Sequence, residues 1–140
     1  MIPQKIPRNP SMKLFSAKKK ILLISDAHTN WKQLNKIIEY ESADAVIDLG
    51  DHFDSHLEKG IGLKENREMA LWEKGQLKNH NYYLLNANHD NHYRYINRFV
   101  RCSGYTDAKY LEINSILNEE DWAKRYNFIF VDDFLISHAG

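Results

Sequence analysis

From Lys20 onward, apolar positions gather in short runs separated by longer amphipathic stretches. Lys20–Ser25 (KILLIS), Ala45–Leu49 (AVIDL) and Asn81–Leu85 (NYYLL) have the length and composition of strands. Between them, Trp31, Leu34, Ile37 and Ile38 recur at helical spacing across Trp31–Tyr40. Met69, Leu71, Trp72 and Leu77 do so less regularly across Lys64–Asn79, where Gly75 is a weak point. Asn30 is placed to cap the first helix, with Gln33 three residues on as its partner. An aromatic and basic segment, His92–Tyr105, precedes a predicted helix over Ile113–Tyr126 carried by Ile113, Ile116, Leu117 and Trp122. Asn127–Val131 and Phe134–Ser137 read as two strands joined by a tight hairpin at Asp132-Asp133.

Strands alternating with helices of this length imply βαβ units. The expected fold is α/β, a largely parallel sheet flanked by helices with a hairpin at the C-terminal end. In such sheets, loops leaving the carboxyl ends of strands line the ligand crevice. Residues 1–19 hold all three prolines (Pro3, Pro7, Pro10) and read as a flexible N-terminal arm, leaving 20–140 as one domain. Lys18, Lys19 and Lys20 then form a solvated lead-in to the first strand.

Charge and composition narrow the function. The 19 basic and 19 acidic side chains balance, which argues against a nucleic-acid partner gripped by bulk phosphate attraction. The apolar runs fall far short of the ~18–20 residues that span a bilayer, so no membrane partner is expected. A single cysteine, Cys102, excludes an internal disulfide framework and a cysteine-based zinc site. With no apolar stretch for a secretory signal, the expected compartment is the cytoplasm.

Each polar cluster follows a predicted strand: Asp26-x-His28, Gly50-Asp51-x-x-Asp54, Asn88-His89-Asp90 and Ser137-His138-Ala139-Gly140. Asp26 and His28 alternate along a loop and so point the same way, as two ligands of one ion must. Asp51 is the natural bridge between two cations, since a carboxylate has two oxygens and a charge that offsets their repulsion. Asn88 offers a neutral oxygen and His138 an imidazole to a second ion. Oxygen and imidazole donors without thiolate suit Mn, Fe, Zn, Ni or Co. A metal pair can hold a phosphate ester, acidify a bridging water and offset transition-state charge. His89 would protonate the leaving oxygen, with Asp54 or Asp90 as its carboxylate partner.

In that order, these four blocks resemble the signature motifs of the calcineurin-like metallophosphoesterases over roughly Lys20–Gly140. Ser25-Asp26-x-His28-x-Asn30 with the closing His-Ala-Gly is most similar to the phosphoprotein-phosphatase and diadenosine-tetraphosphatase branch, and Tyr93–Val131 to small phage and bacterial phosphoesterases. The resemblance implies half of a β-sandwich, with Asp26, His28 and Asp51 on a first metal and Asp51, Asn88 and His138 on a second. It makes His89 the general acid and Asp54 the residue that orients it. It also implies two divalent ions, Mn²⁺ foremost, and a phosphoester substrate, either a small molecule or a phosphoprotein.

Three positions depart from the family pattern. Ala87 stands where the family usually has glycine, and Ser55-His56 follows Asp54 where the phosphatase branch has a phosphate-gripping arginine and glycine. The family also completes its first metal with a histidine downstream of His-Ala-Gly, so the domain is expected to be incomplete at its C-terminus. Two alternatives follow: a weakly active fragment binding at most one metal, and a metal-dependent nuclease. Among the remaining residues, His52, His56, His80 and His92 are expected to be solvated, and Trp31, Trp72 and Trp122 to pack in the core. Cys102 is expected to be a buried small residue, and Tyr93, Arg94, Tyr95, Arg98 and Arg101 an exposed helix face.

Overall fold

The computed structural model describes residues 11–14, 19–54, 62–95 and 101–139. Its elements are β1 (Ser11–Leu14), β2 (Ile21–Ile24), α1 (Trp31–Glu41), β3 (Ala45–Asp48), α2 (Leu63–Gln76), β4 (Tyr82–Leu84), α3 (Asn88–Arg94), α4 (Asp107–Ile116), α5 (Glu119–Ala123), β5 (Phe128–Val131) and β6 (Phe134–Ile136).

One sheet has the order β2-β3-β4, parallel throughout; the other has the order β1-β5-β6. All four residues of β3 are buried, as a central parallel strand covered on both faces requires. Side-chain alternation sorts the core into two layers. Leu22, Ile24, Val46, Tyr82 and Leu84 meet the helices, with Leu34, Met69, Ile113 and Trp122. Ile21, Ile47, Tyr83 and Leu85 face the second sheet and meet Ile129, Val131 and Ile136. The molecule is therefore helices on a three-stranded parallel sheet on a second three-stranded sheet. All three tryptophans pack as expected, Trp122 fully buried and Trp31 and Trp72 against its cluster.

Asn30 caps α1 through its side chain, which accepts from the Gln33 N–H and donates to the Gln33 side-chain oxygen. The β5–β6 hairpin turns at Asp132-Asp133, with Val131 opposite Phe134 and Asp132 at φ 51°.

Three features depart from the pattern read along the chain. Ser11–Leu14, within the stretch read as an unstructured arm, forms β1 and pairs in parallel with Phe128–Val131. The single helix expected over Ile113–Tyr126 is two, α4 and α5, because Asn118 starts a new helix: its side chain accepts from Asp121 N–H while Asp121 accepts from Asn118 N–H. The third polar cluster is largely helical, with α3 beginning at Asn88, and this decides the geometry of the site.

Candidate metal centre

The loops after β2 and β3 run side by side at the carboxyl edge of the parallel sheet. Their backbones pair beyond the strands, Asp26 N–H to Gly50 carbonyl at 2.9 Å, His28 N–H to Asp51 carbonyl at 3.0 Å and Thr29 N–H to His52 carbonyl at 2.7 Å. Five non-glycine residues in these loops have left-handed backbone: Asp26, His28, Thr29, Asp51 and Asp54. That conformation is uncommon outside glycine and concentrates at functional sites, where surrounding structure enforces it. Gly50, at φ 91°, is needed for a second reason: a Cβ there would lie 2.6 Å from Ala87 Cβ.

Asp26, His28 and Asp51 converge. His28 Nδ1 lies 3.4 Å from the Phe53 carbonyl, to which it donates, and turns Nε2 toward Asp26 Oδ1 at 3.7 Å and Asp51 Oδ2 at 4.0 Å. These three atoms lie within 4.8 Å of one another. The separations are too long for hydrogen bonds, yet they suit ligands held ~2.0–2.2 Å from one cation.

Asn88 and His138 meet the other side of the same carboxylate. His138 Nδ1 lies 2.9 Å from the Leu49 carbonyl, which only accepts, so this nitrogen carries hydrogen. Its Nε2 faces two oxygens, Asn88 Oδ1 at 2.9 Å and Asp51 Oδ2 at 3.3 Å. Asn88 is oriented by its amide, which donates to the Cys102 sulfur at 3.7 Å. A proton or a metal cation must sit among such converging lone pairs, so the donor set fits a divalent ion.

Asp51 is thus common to both groups, through one oxygen rather than one oxygen for each. Its Oδ2 faces both histidines, while Oδ1 accepts the His89 N–H at 3.0 Å. Five of the residues singled out in the sequence (Asp26, His28, Asp51, Asn88 and His138) therefore meet at one place.

His89 packs its ring against His28, centroids 5.3 Å apart, and faces Asp54, Nδ1 to Oδ2 3.7 Å. Asp54, not Asp90, is its carboxylate neighbour. Asp54 is buried beneath two hydrogen-bond donors, Tyr93 hydroxyl at 2.6 Å and Lys109 Nζ at 3.0 Å, with His92 Nε2 in ion-pair contact at 2.9 Å. The Cys102 N–H donates to His92 Nδ1 at 2.8 Å, so the His92 hydrogen is on Nε2, the nitrogen beside Asp54. Burial opposes ionisation of Asp54, but the adjacent His92, the Tyr93 hydroxyl and the Lys109 ammonium outweigh it and hold the carboxyl below its usual range.

Asp90 serves elsewhere. Its oxygens accept the Asp51, His52 and Phe53 N–H groups at 3.0, 2.8 and 3.2 Å and the Arg125 guanidinium at 2.7 Å. His52 is wholly buried between Glu73 Oε2 at 2.7 Å and Asp48 Oδ2 at 2.8 Å. Burial alone would lower its pKa; the two carboxylates overcome that and push it up to about 10. Asp48 also takes the Tyr82 hydroxyl and the Gly50 N–H.

The solvated reading of His52 and His92 is therefore wrong: each has carboxylate partners that make burial tolerable. So is the exposed reading of Tyr93 and Arg94, both buried, the latter donating to Asn86 Oδ1 at 2.8 Å. Cys102 is only partly buried. His80, Tyr95 and Arg101 are not fully buried, while His56 and Arg98 lie outside the described residues. The residues around Asp54 do carry a sequence signal: once α3 is seen to begin at Asn88, His89, His92 and Tyr93 fall on one helical face.

The model of the calcineurin-like phosphoesterase family matches residues 19–140. The chain belongs to the calcineurin-like phosphoesterases. Searches of curated proteins and of solved structures returned no match. Metal-dependent phosphoester hydrolysis is the chemistry this family membership suggests, and the chain's Asp and His groups are of the kind that can hold divalent ions. Among the described residues no helix is long and apolar enough to cross a membrane.

Proposed function

We propose that this domain hydrolyses phosphoesters over a pair of divalent cations, with Asp26, His28 and Asp51 holding one and Asp51, Asn88 and His138 the other. The observation that carries the reading is Asp51 Oδ2, placed 4.0 Å from His28 Nε2 and 3.3 Å from His138 Nε2. Mn²⁺ suits this mixture of oxygen and imidazole donors, as do Fe, Zn, Ni and Co. Bound there, such ions supply Lewis acidity toward phosphate oxygens and water.

The protein's own part is positioning and proton delivery. Leu49 and Phe53 carbonyls fix the ring orientations of His138 and His28. His89 protonates the leaving alkoxide from Nε2, since Nδ1 faces Asp54, and Asp54 orients the ring and stabilises its charged form. We place the substrate among phosphomonoesters, nucleotide phosphodiesters and phosphoproteins, in line with the likeness of the motifs to the phosphoprotein-phosphatase and diadenosine-tetraphosphatase branch. A cytoplasmic, phage or bacterial setting suits the same likeness. We read residues 20–140 as the domain, with β1 joining it from the arm.

The test pairs calorimetric titration with Mn²⁺ and hydrolysis of p-nitrophenyl phosphate and its bis ester. Two ions per chain and Mn²⁺-stimulated turnover are expected. Asp51→Asn should abolish both, whereas His89→Ala should keep the ions and lose about 10²–10⁴-fold in turnover. One ion per chain without turnover would establish the weakly binding fragment instead, and activity indifferent to both substitutions would overturn the reading.

A further inference from the structure

We propose that Arg125, outside every motif discussed above, is a positioning residue for the Asp51 loop and the start of α3, and acts through Asp90. The proposal rests on the reading of Asp51 as a metal ligand. The guanidinium is fully buried and makes three connections at once: both Glu73 oxygens at 2.8 Å, Asp90 Oδ2 at 2.7 Å and the Leu85 carbonyl at 3.3 Å. It lies over the Trp122 ring, 4.8 Å from the centroid.

Asp90 in turn receives three successive amides of the loop that carries Asp51, at 3.0, 2.8 and 3.2 Å. The hold is reciprocal, because the His89 N–H next to Asp90 donates to Asp51 Oδ1 at 3.0 Å. The Asp51 loop and the first turn of α3 therefore each supply the carboxylate that binds the other's backbone, and Asn88, His89 and Asp51 are fixed relative to one another. His52 ties the same loop to Glu73, the second carboxylate that Arg125 grips.

This arrangement needs a charged fork at its centre. The guanidinium fork bonds Asp90 and Glu73 together, so the carboxylate that receives the loop amides is held from behind by a rigid, fully buried group. Deprived of Arg125, Asp90 Oδ2 would lose the donor that fixes it at 2.7 Å, and the Asp51, His52 and Phe53 amides would lose a fixed acceptor. The left-handed turn at Asp51, φ 58°, would lose its restraint, and Oδ2 with it. A lysine retains the charge but, with one compact head, reaches Glu73 or Asp90 and not both in this geometry.

A salt bridge that served only the fold would stabilise the domain without altering its grip on a cation. The test therefore compares Arg125→Lys with Ile113→Ala, a truncation of a fully buried core residue on α4 that makes none of these bonds, using Mn²⁺ titration and amide hydrogen exchange of the metal-free protein. Arg125→Lys should weaken Mn²⁺ binding by about 10–100-fold and speed exchange at Asp51, His52 and Phe53 relative to β3. Ile113→Ala should lower the melting temperature and do neither. Asp90→Asn, which turns an N–H toward the Asp51 amide, should reproduce the Arg125→Lys result and carries the test if the lysine variant fails to fold. Parental Mn²⁺ affinity and loop protection in these variants, or losses no larger than those of Ile113→Ala, overturn the proposal. Parental Mn²⁺ affinity in Asp51→Asn would overturn the metal reading instead, while the exchange comparison would still judge the role of Arg125.

Discussion

Replacing Lys109 with methionine probes the donor cage around Asp54 without touching a metal ligand. Lys109 Nζ lies 3.0 Å from Asp54 Oδ1, with side chains 11% and 2% exposed. Removing one partner of such a buried pair costs ~3–5 kcal/mol when the remaining charge is stranded. Here Asp54 keeps the Tyr93 hydroxyl at 2.6 Å and His92 at 2.9 Å, and methionine refills most of the methylene volume. Against this, the Gly104 carbonyl loses its 2.8 Å bond from Lys109 and retains only Tyr93 at 3.4 Å. The net loss should be about 2–3 kcal/mol at pH 7, a fall in melting temperature of roughly 6–12 °C for a domain of this size. The sign of the pH dependence is fixed by Asp54, whose carboxyl in the folded protein titrates below the unfolded value of 3.8. A depressed carboxylate contributes stability that is fully present above that value and is lost as pH falls through the folded pKa. The deficit of Lys109→Met should thus be complete at neutral pH and shrink on acidification below about 3.8. Urea unfolding across the pH range checks both points. A variant within 0.5 kcal/mol of the parent (about the resolution of the method), or a deficit that grows in acid, refutes the electrostatic account of the cage.

Two further outcomes follow from the same structure. Gly50→Ala should destabilise by about 3 kcal/mol, combining a left-handed backbone at φ 91° with a Cβ placed 2.6 Å from Ala87, and parental stability in urea would contradict it. Mn²⁺ at a hundred times its dissociation constant should stabilise the domain by ~2.7 kcal/mol in thermal unfolding, reversibly on chelation, and Asp51→Asn should show no such shift.

Much of this was legible along the chain because strand exits and short polar motifs are local features. KILLIS, AVIDL and NYYLL announce their strands, and polar residues immediately after each run put Asp26, Asp51 and Asn88 at one sheet edge before any coordinates are known. His138 is reached the same way, through the hairpin. Partnerships at long sequence separation were hidden. Nothing in the neighbourhood of His52 reveals that Glu73 waits 21 residues away, nor does Lys109 advertise a carboxylate 55 residues upstream. Histidine and arginine are usually solvated, and only a tertiary counter-charge reverses that expectation. The start of α3 was missed because Asn88-His89-Asp90 lacks apolar periodicity. Its buried face is made of His89, His92 and Tyr93, whose burial depends on Asp54. The strand at Ser11–Leu14 was missed because four residues among prolines form one only when Phe128–Val131 offers an edge.

Thr29 and His28 sit at φ 71° and 40°, in a left-handed basin that costs any residue but glycine and costs the β-branched Thr29 most. The rest of the molecule holds them there at an outlay of ~1–3 kcal/mol each. Glycine at either place would ease that tension and add thermal resilience, but it would strip a candidate ligand at His28 and loosen the backbone beside that ligand at Thr29. Robustness and sharpness are in opposition at these two positions, and the residues found there favour the second.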